Sequence, residues 1–452
     1  MIMKNRDTFS SKWGFILACI GSAVGMGNIW RFPVMVSTYG GLTFLIPYII
    51  FVVLIASTGV MEEFSFGRWA ESGPVGAFGK AFERKYASSS LGGKKARYIG
   101  RSIGALPVLG SMALAIGYTV VMAWIFKYTF LAISGDMIKM GSDMAKIGGT
   151  FGATATVWGA NIWIVVAIIV AFIIMALGVS GGIEKANKIM MPLLFFMMLA
   201  LGIYIAFLPG SSNGYKYIFT FNGKGLGDIR VWIFAFGQAF FSLSVAGNGS
   251  LIYGSYLSKD EDIPSSARNV AIFDTLAALL AALVIIPAMA TAGEELSAGG
   301  PGLMFIYLVN VMNGLPLGVV VEIVFFVAVT FAGISSIINL YEAPVAFLQE
   351  EFKMKRVTSV LSILLLGGII ALCIQGITSE WMDVVSIYIC PLGALLAGII
   401  YFWISGKDFA LEQVNIGAQK KVGSWFYYIG KYLFCPLALI ALVLGAIFGG
   451  IG

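Results

Sequence analysis

Long apolar stretches alternate along the chain with short polar connections. Each stretch is close to the ~20 residues with which a helix crosses ~30 Å of hydrocarbon. The pattern therefore predicts an all-α integral membrane protein. Its eleven predicted spans cover residues 12–37, 41–66, 104–133, 158–178, 187–208, 230–257, 266–292, 316–349, 357–376, 383–405 and 425–449.

Composition and charge agree with this pattern. Of the 452 residues, 59% are hydrophobic and 12% are charged, so the chain cannot keep its surface in water. Lysine and arginine accumulate in cytoplasmic loops. With the N-terminus inside, 22 of the 29 lysines and arginines fall in predicted cytoplasmic segments, six fall on the opposite side, and Arg31 lies within a span. We expect a multi-pass plasma-membrane protein with a cytoplasmic N-terminus, an extracellular C-terminus and no nucleic-acid partner.

The inventory of residues excludes several kinds of enzyme. The sequence contains no histidine, which excludes Ser-His triads and HExxH zinc sites. Its four cysteines are scattered through apolar runs without metal-ligand spacing. No cluster pairs a nucleophile with a base, and Glu62 and Glu63 sit at a span end. We expect neither an enzyme nor an organic cofactor.

Two spans contain runs of residues that weaken a helix. Span one carries GSAVGMGN at 21–28, and span six carries SLSVAGNGS at 242–250. Irregular backbone at membrane depth survives only when it is buried in protein or lines a water-filled cavity. Close helix packing through small residues is the alternative for either run taken alone. Two breaks, each near the middle of its span and five spans apart, favour a binding site.

The spacing of the breaks also predicts an architecture. Inverted repeats over about 12–208 and 230–405 would bring the two broken helices together at the bilayer midplane. Half-helix N-termini would attract an anion there, and free carbonyls would bind a cation. An extra helix over about 425–449 completes a single transporter domain, residues 1–452.

Four motifs occur in order along the chain: GSAVGMGNIWRFP at 21–33, GGLTFLIPY at 40–48, GQAFFSLS at 237–244 and FAGISS at 331–336. Gly182 and Pro192, with nine residues between them, fit a further pattern in span five. Together these motifs resemble the neurotransmitter:sodium symporter family, in its bacterial amino-acid transporter branch of eleven-helix type. The resemblance implies a leucine-transporter-type fold of five plus five inverted spans with helices 1 and 6 broken. Many relatives have a twelfth helix, so the oligomeric state stays open between a monomer and a weak homodimer.

The resemblance also implies two sodium sites beside the substrate. Short hydroxyls and unwound carbonyls suit Na⁺, a hard cation that prefers oxygen ligands. Outside the register of FAGISS, two such serines would be expected to bond back to their own helix. The implied ligands are Ala23, Asn28, Ser242 and Asp274 at the first site, and Gly21, Val24, Ala332, Ser335 and Ser336 at the second.

Asp274 lies inside the apolar run of span seven. A carboxylate there costs ~3 kcal/mol on insertion scales and marks a functional candidate. Animal members of the family place chloride near the first sodium, and this chain matches that chloride site with Tyr48, Gln238 and Ser242. A fixed charge on Asp274 would replace the chloride, so we expect chloride-independent transport. Direct sodium ligation, charge balance alone, pairing with a neighbouring span's hydroxyl and proton counter-transport stay open.

The substrate class follows from the same resemblance. Gly25 stands where monoamine carriers have an aspartate, which favours an α-amino acid that brings its own carboxylate. Gly247 replaces a phenylalanine of the leucine carrier, so a large neutral amino acid is expected. Asn248 and Asn339 either join helices or hydrogen-bond a polar substrate group. The implied substrate-binding residues are Ala23, Gly25, Met26, Gly27, Leu114, Tyr118, Phe241, Ser244, Gly247, Asn248, Ser336, Asn339 and Leu340.

Other transport functions remain open from the sequence. One is a proton-coupled amino-acid or amine transporter of the same fold, which would usually carry a basic side chain in place of Ser335 and Ser336. Another is a symporter for a polar non-standard amino acid or an amine derivative. A transport-dead receptor would be separated from all of these by an uptake measurement.

The resemblance implies gates on both sides of the site. Arg31 and Asp383 match an outer ion pair, with Phe241 and Tyr118 as a lid beneath it. An arginine within a span is expected to have a partner on physical grounds as well. The implied inner gate consists of Arg6, Phe9, Tyr256 and Glu350. Unwinding of span five at Gly182 and Pro192 would release the second sodium.

Overall fold

The computed structural model describes residues 7–25, 27–90, 92–245, 248–293 and 300–448. Within these ranges the regular secondary structure is helical, without strands. In these ranges, eight continuous helices are long and apolar enough to cross a membrane. They are Leu42–Ala70, Gly93–Ser134, Val179–Ala206, Ile263–Thr291, Gly318–Phe352, Arg356–Cys373, Gln375–Ile404 and Trp425–Ile447.

The remaining predicted spans are broken or short. Span one is a bent pair, Lys12–Ala23 and Gly27–Tyr39, whose axes differ by 54°. Span four is Asn161–Ala176, and span six is Ile229–Ser242 followed by Gly249–Gly254. These two are shorter than the spanning helices of the described chain, so the count of eleven stays a prediction. The other main helices are Pro74–Tyr86, Met144–Ala155, Ser211–Ile218, Leu303–Asn313 and Lys407–Asn415.

Local sequence explains where several helices begin. Asp262 caps span seven by accepting a hydrogen bond from the Ser265 amide at 3.2 Å, which satisfies a donor left unpaired at the helix start. Span three begins at Gly93 and span five at Val179, earlier than the apolar pattern predicts. Polar turns continue these helices beyond the apolar run, because hydropathy marks the membrane-embedded part of a helix and not its full length.

Buried hydroxyls tie span eight to span three. Ser111 Oγ donates to the Leu340 carbonyl at 2.7 Å, and the hydroxyls of Thr129 and Thr330 lie 2.8 Å apart. Hydrogen bonds between helices satisfy polar groups at membrane depth. Span eight also packs against spans one and five. These contacts hold the FAGISS segment opposite the break of span one.

Candidate ion and substrate site

The two broken spans meet at their breaks. Ser244 Oγ donates a hydrogen bond to the Ser22 carbonyl at 2.8 Å. Ser244 and Asn248 have positive φ values of 56° and 51°. Non-glycine residues adopt this left-handed backbone rarely, and such residues cluster at functional sites. Two implied substrate contacts, Met26 and Gly247, lie outside the described residues.

Asp274 reaches both breaks from span seven. It is fully buried, its Oδ1 accepts from Asn28 Nδ2 at 2.8 Å, and its Oδ2 accepts from the Ser242 hydroxyl at 2.7 Å. Asn28 Oδ1 accepts longer hydrogen bonds from the Gly25 amide at 3.4 Å and the Ser242 hydroxyl at 3.5 Å. Asp274 thus holds the side-chain nitrogen of Asn28, and the side-chain oxygen of Asn28 faces the break of span one. The bond to Ser242 is also the pairing with a neighbouring span's hydroxyl that the sequence left open.

The residues assigned to the second sodium approach one another from spans one and eight. A Cβ on Gly21 would lie 2.9 Å from Ser335 Cβ, and a Cβ on Gly25 would lie 2.8 Å from Ser336 Oγ. Both serine hydroxyls donate to the Ala332 carbonyl, at 2.9 and 3.0 Å. These are the within-helix bonds expected of serine in a helix. The Ser336 hydroxyl and the Cβ of Ser335 nevertheless lie against span one.

The available donor atoms fit Na⁺. No group of three or more His, Cys, Asp or Glu residues that could hold a metal occurs in the described ranges. The oxygens at the breaks come from amides, hydroxyls, carbonyls and one carboxylate, which suit a hard cation. Val24 has a ψ of 89°, which turns its carbonyl out of the helical ladder.

One implied charge-balance residue carries an orphaned buried oxygen. Gln238 Oε1 has no hydrogen-bond partner among the described residues, whereas the Tyr48 hydroxyl lies beside the side chains of Ser242 and Thr275. Gln238 Nε2 donates to the Gly27 carbonyl at 3.2 Å, which fixes the glutamine beside the break of span one. Buried polar groups are normally hydrogen-bonded, so such an orphan marks a place where an ion or water belongs.

A small cavity of about 40 Å³ lies between the breaks. It has room for a few water molecules. No acidic or basic side chain is among the described residues that line it. Ten of the thirteen implied substrate contacts line it, together with three residues that the sequence did not assign to the substrate. The lining is Ser22, Ala23, Gly25, Gly27, Asn28, Leu114, Tyr118, Phe241, Ser244, Gly249, Ser336, Asn339 and Leu340.

Asn248 takes the first of its two predicted alternatives and joins two helices. Its Nδ2 donates to Glu63 Oε1 at 2.8 Å, and it does not line the cavity. Glu63 Oε2 accepts from the Leu251 amide at 3.0 Å, so this carboxylate holds the second half of span six. Glu62 and Glu63 are both 0% exposed, although the sequence placed them at a span end. Sequence could not show this burial because neighbouring helices produce it.

A larger cavity of about 290 Å³ lies beyond the first. Gly27, Tyr118 and Phe241 line both cavities, so the two rings separate them as the lid that the resemblance implies. Arg31 and Asp383 line the larger cavity, but no ion pair forms between them. The Arg31 guanidinium instead lies 5.2 Å from the centre of the Phe241 ring. The implied outer gate therefore stands with its two charges apart.

The implied inner gate is partly described. The ring centres of Phe9 and Tyr256 lie 6.3 Å apart. Tyr256 Oη donates to Glu342 Oε1 at 2.6 Å, and Glu350 accepts from the Gly73 amide at 3.0 Å. Arg6 lies outside the described residues. The aromatic pair is thus brought together on the side of the site opposite Arg31.

The sequence reasoning missed Glu342. This residue is 0% exposed, and Arg356 donates two hydrogen bonds to it at 2.5 and 2.7 Å. The signal was a carboxylate inside an apolar run, as for Asp274. In span five, Gly182 lies in a π-helical turn, whereas Pro192 lies in the regular helix that follows.

Comparisons with known proteins identify the family of the chain. The model of the sodium:neurotransmitter symporter family matches residues 6–140 and 149–449. An uncharacterized sodium-dependent transporter of Methanocaldococcus jannaschii is 33% identical over 473 residues, covering 98% of this chain and 91% of the relative. Another, from Bacillus subtilis, is 30% identical over 465 residues, covering 97% of each chain.

A solved structure is similar along almost the whole chain. The crystal structure of MhsT in complex with L-phenylalanine superimposes with a TM-score of 0.83 at 31% identity, covering 97% of this chain and 99% of that one. The likeness confirms the predicted leucine-transporter-type fold. The chain belongs to the sodium:neurotransmitter symporter family and is a multi-pass, sodium-dependent symporter.

Proposed function

We propose that this chain imports an amino acid, large and neutral, by alternating access driven by two sodium ions and without chloride. The observation that carries the proposal is the carboxylate of Asp274. Side chains from both broken spans, Asn28 and Ser242, donate hydrogen bonds to it at 2.8 and 2.7 Å. A buried negative charge therefore sits where the first sodium is proposed to bind.

Asp274 acts on the first sodium in two ways. Its negative charge balances the cation, as chloride does in animal relatives, so no external anion is needed. It also holds the Asn28 amide nitrogen, which leaves Asn28 Oδ1 to face the cation beside Ser242. Removing the carboxylate would take away both the charge and this orientation. Direct ligation by Asp274 is part of the proposal, since its oxygens already contact two of the other ligands.

The second sodium is proposed to bind between spans one and eight. The Ser335 side chain lies opposite Gly21, the Ser336 hydroxyl lies opposite Gly25, and Val24 turns its carbonyl out of the helix. On sodium binding each hydroxyl keeps its proton on the Ala332 side and offers a lone pair to the ion. A basic side chain, which a proton-coupled carrier would usually use here, is absent from this position.

The cavity supports an amino-acid substrate. Its described lining carries no carboxylate, so a bare amine would find no acidic partner, whereas an amino acid brings its own carboxylate to the first sodium. MhsT was crystallised with L-phenylalanine, which supports a large side chain. The volume of about 40 Å³ is too small for such a side chain. Binding therefore requires Phe241 to swing toward the larger cavity and open the pocket.

Alternating access follows from the two sets of gate contacts. On the inner side, Tyr256, Glu342 and Arg356 form a hydrogen-bonded chain, while Arg31 and Asp383 stand apart. Substrate and sodium would draw the outer pair together, and release of the inner contacts would open the other side. The proposal places the N-terminus on the cytoplasmic side, where lysine and arginine accumulate.

A charge-neutralising variant tests the proposed role of Asp274. In proteoliposomes without chloride, Asp274→Asn is expected to lower sodium-driven uptake by roughly tenfold or more, because hydrogen bonds to charged groups contribute ~1.5–3 kcal/mol. Asp274→Ser, which leaves space for an anion, should regain part of its uptake when chloride is added.

Glu322→Gln is the matched control. Glu322 is a fully buried carboxyl of span eight whose oxygens have no hydrogen-bond partner in the described chain. Its neutralisation should leave chloride-free uptake largely intact. Unchanged chloride-free uptake by Asp274→Asn would overturn the proposal.

A further inference from the structure

A surface groove of about 760 Å³ lies between span two, the first half of span seven and the segment 419–425. It shares no lining residue with the two cavities at the broken helices. The groove is therefore separate from the proposed substrate site.

The depth of the groove matches one leaflet of a bilayer. Along span seven its lining runs from Pro264 to Leu276. Twelve residues of helix rise ~18 Å. Half of a ~30 Å hydrocarbon core is ~15 Å, so the groove covers one leaflet and reaches the interface at one end.

Three basic side chains line the interfacial end. Arg268, Lys420 and Lys421 are exposed, and none forms an ion pair with an acidic residue of the described chain. Asp262 also lines this end, but its carboxylate is 7% exposed and accepts the capping hydrogen bond from the Ser265 amide. The net charge offered to an occupant is therefore positive.

The other part of the groove is apolar. Ile49 and Val53 of span two are 45% and 62% exposed, and Ile272 and Leu276 of span seven are 48% and 44% exposed. Trp425, 43% exposed, lies near the basic end, where tryptophan is enriched at membrane interfaces. The groove thus has a basic end, an interfacial aromatic ring and a long aliphatic wall.

We propose that this groove is a binding site for one anionic phospholipid. The phosphate and its negatively charged headgroup contact Arg268, Lys420 and Lys421, and an acyl chain lies along Ile272 and Val53. Basic pockets between spans on the cytoplasmic side recognise anionic headgroups in this way. A second copy packed about a twofold axis through the basic end would set the same basic residues against each other, which disfavours that occupant.

Native mass spectrometry of the full-length protein in detergent tests the proposal. Titration with phosphatidylglycerol should show one lipid that binds at least tenfold more tightly than phosphatidylcholine with the same acyl chains. Each basic residue near a membrane surface contributes a factor of ~5 in affinity for anionic lipid. The triple variant Arg268→Ala, Lys420→Ala, Lys421→Ala should therefore lose most of the preference.

A variant with the same charge change controls for bulk electrostatics. Lys85→Ala, Lys94→Ala, Lys95→Ala removes three exposed basic residues away from the groove and should keep the preference. Val53→Trp, which fills the apolar wall, should weaken binding of both lipids. Equal affinity for the two lipids, equal loss in both triple variants, or dimerisation through this face in place of lipid binding would each overturn the proposal.

Discussion

Two asparagines near the breaks have different roles, although they are the same residue type. From the sequence, Asn248 and Asn339 could each either join helices or contact the substrate's side chain. Asn339 lines the cavity, and its side chain lies beside that of Tyr253. Asn248 turns away and donates to Glu63. The difference comes from the backbone of span six, where Asn248 takes a left-handed conformation that aims its side chain at span two.

Alanine at Asn248 should therefore mainly affect stability, whereas alanine at Asn339 should mainly affect substrate preference. Asn248→Ala leaves one oxygen of the buried Glu63 without its donor, and we expect it to lower the free energy of unfolding by ~1–3 kcal/mol while substrate preference stays the same. Asn339→Ala should change relative affinities among amino acids with a smaller loss of stability. Thermal unfolding and competition by amino acids measure the two effects. Altered preference in Asn248→Ala at unchanged stability would contradict this assignment.

The burial of a charged residue could be predicted from the sequence where the residue lies alone in an apolar run. Asp274 stands alone in an apolar run, so its cost of burial already marked it as a functional candidate. Glu63 follows another glutamate near a polar segment, and its burial depends on Asn248 and Leu251, which lie far along the chain. Such partners appear only when the tertiary path of the chain is known.

At the scale of helices, the close contact between spans one, five and eight limits the size of the side chain at position 21 of span one. Gly21 faces Asn187 of span five and Ser335 of span eight. Asn187 is 0% exposed, and its Nδ2 donates to the Ile183 carbonyl at 2.9 Å, so this amide cannot turn away without losing that bond. Glycine at 21 thus permits both the close approach of three helices and the proposed second sodium site.

Gly21→Ala should destabilise the protein. The added Cβ would lie 2.0 Å from Asn187 Oδ1 and 2.9 Å from Ser335 Cβ. Overpacking of this kind costs ~1–3 kcal/mol, measured as a lower unfolding temperature. Gly148→Ala is the control, because its Cβ meets nothing within 4 Å on a helix and should stabilise slightly.

A second substitution identifies the obstructing group. Removing the Asn187 side chain in Gly21→Ala, Asn187→Ala should restore part of the lost stability. Equal unfolding temperatures for Gly21→Ala and Gly148→Ala would show that span one does not approach its neighbours this closely.

Helix positions were predicted more accurately than helix ends. The small-residue runs of spans one and six marked the breaks, since irregular backbone survives at membrane depth only when it is buried in protein or lines a water-filled cavity. The start of span three was predicted at 104 but lies at Gly93, where polar residues extend the helix beyond the apolar run. Similarly, a widened turn at Val179–Ile183 begins span five before its apolar run.

At the scale of the whole molecule, the contacts differ on the two sides of the site. Phe9, Tyr256, Glu342 and Arg356 are joined on one side, whereas Arg31 and Asp383 share a cavity without contact on the other. In a symporter, the contacts on both sides of the site must change when sodium and substrate bind. In the proposed mechanism the substrate carboxylate completes the shell of the first sodium, so each ligand stabilises the same closed state.

This coupling can be measured through the reciprocal binding of sodium and substrate. The measurement is the equilibrium affinity of the purified protein for a large neutral amino acid, in sodium and in choline, both without chloride. Linkage requires sodium and substrate to raise each other's affinity by the same factor, and coupling of ~1–3 kcal/mol corresponds to ~5- to 150-fold. We predict tighter binding in sodium, with a matching rise in sodium affinity when substrate is present. Equal substrate affinity in sodium and choline would contradict the account.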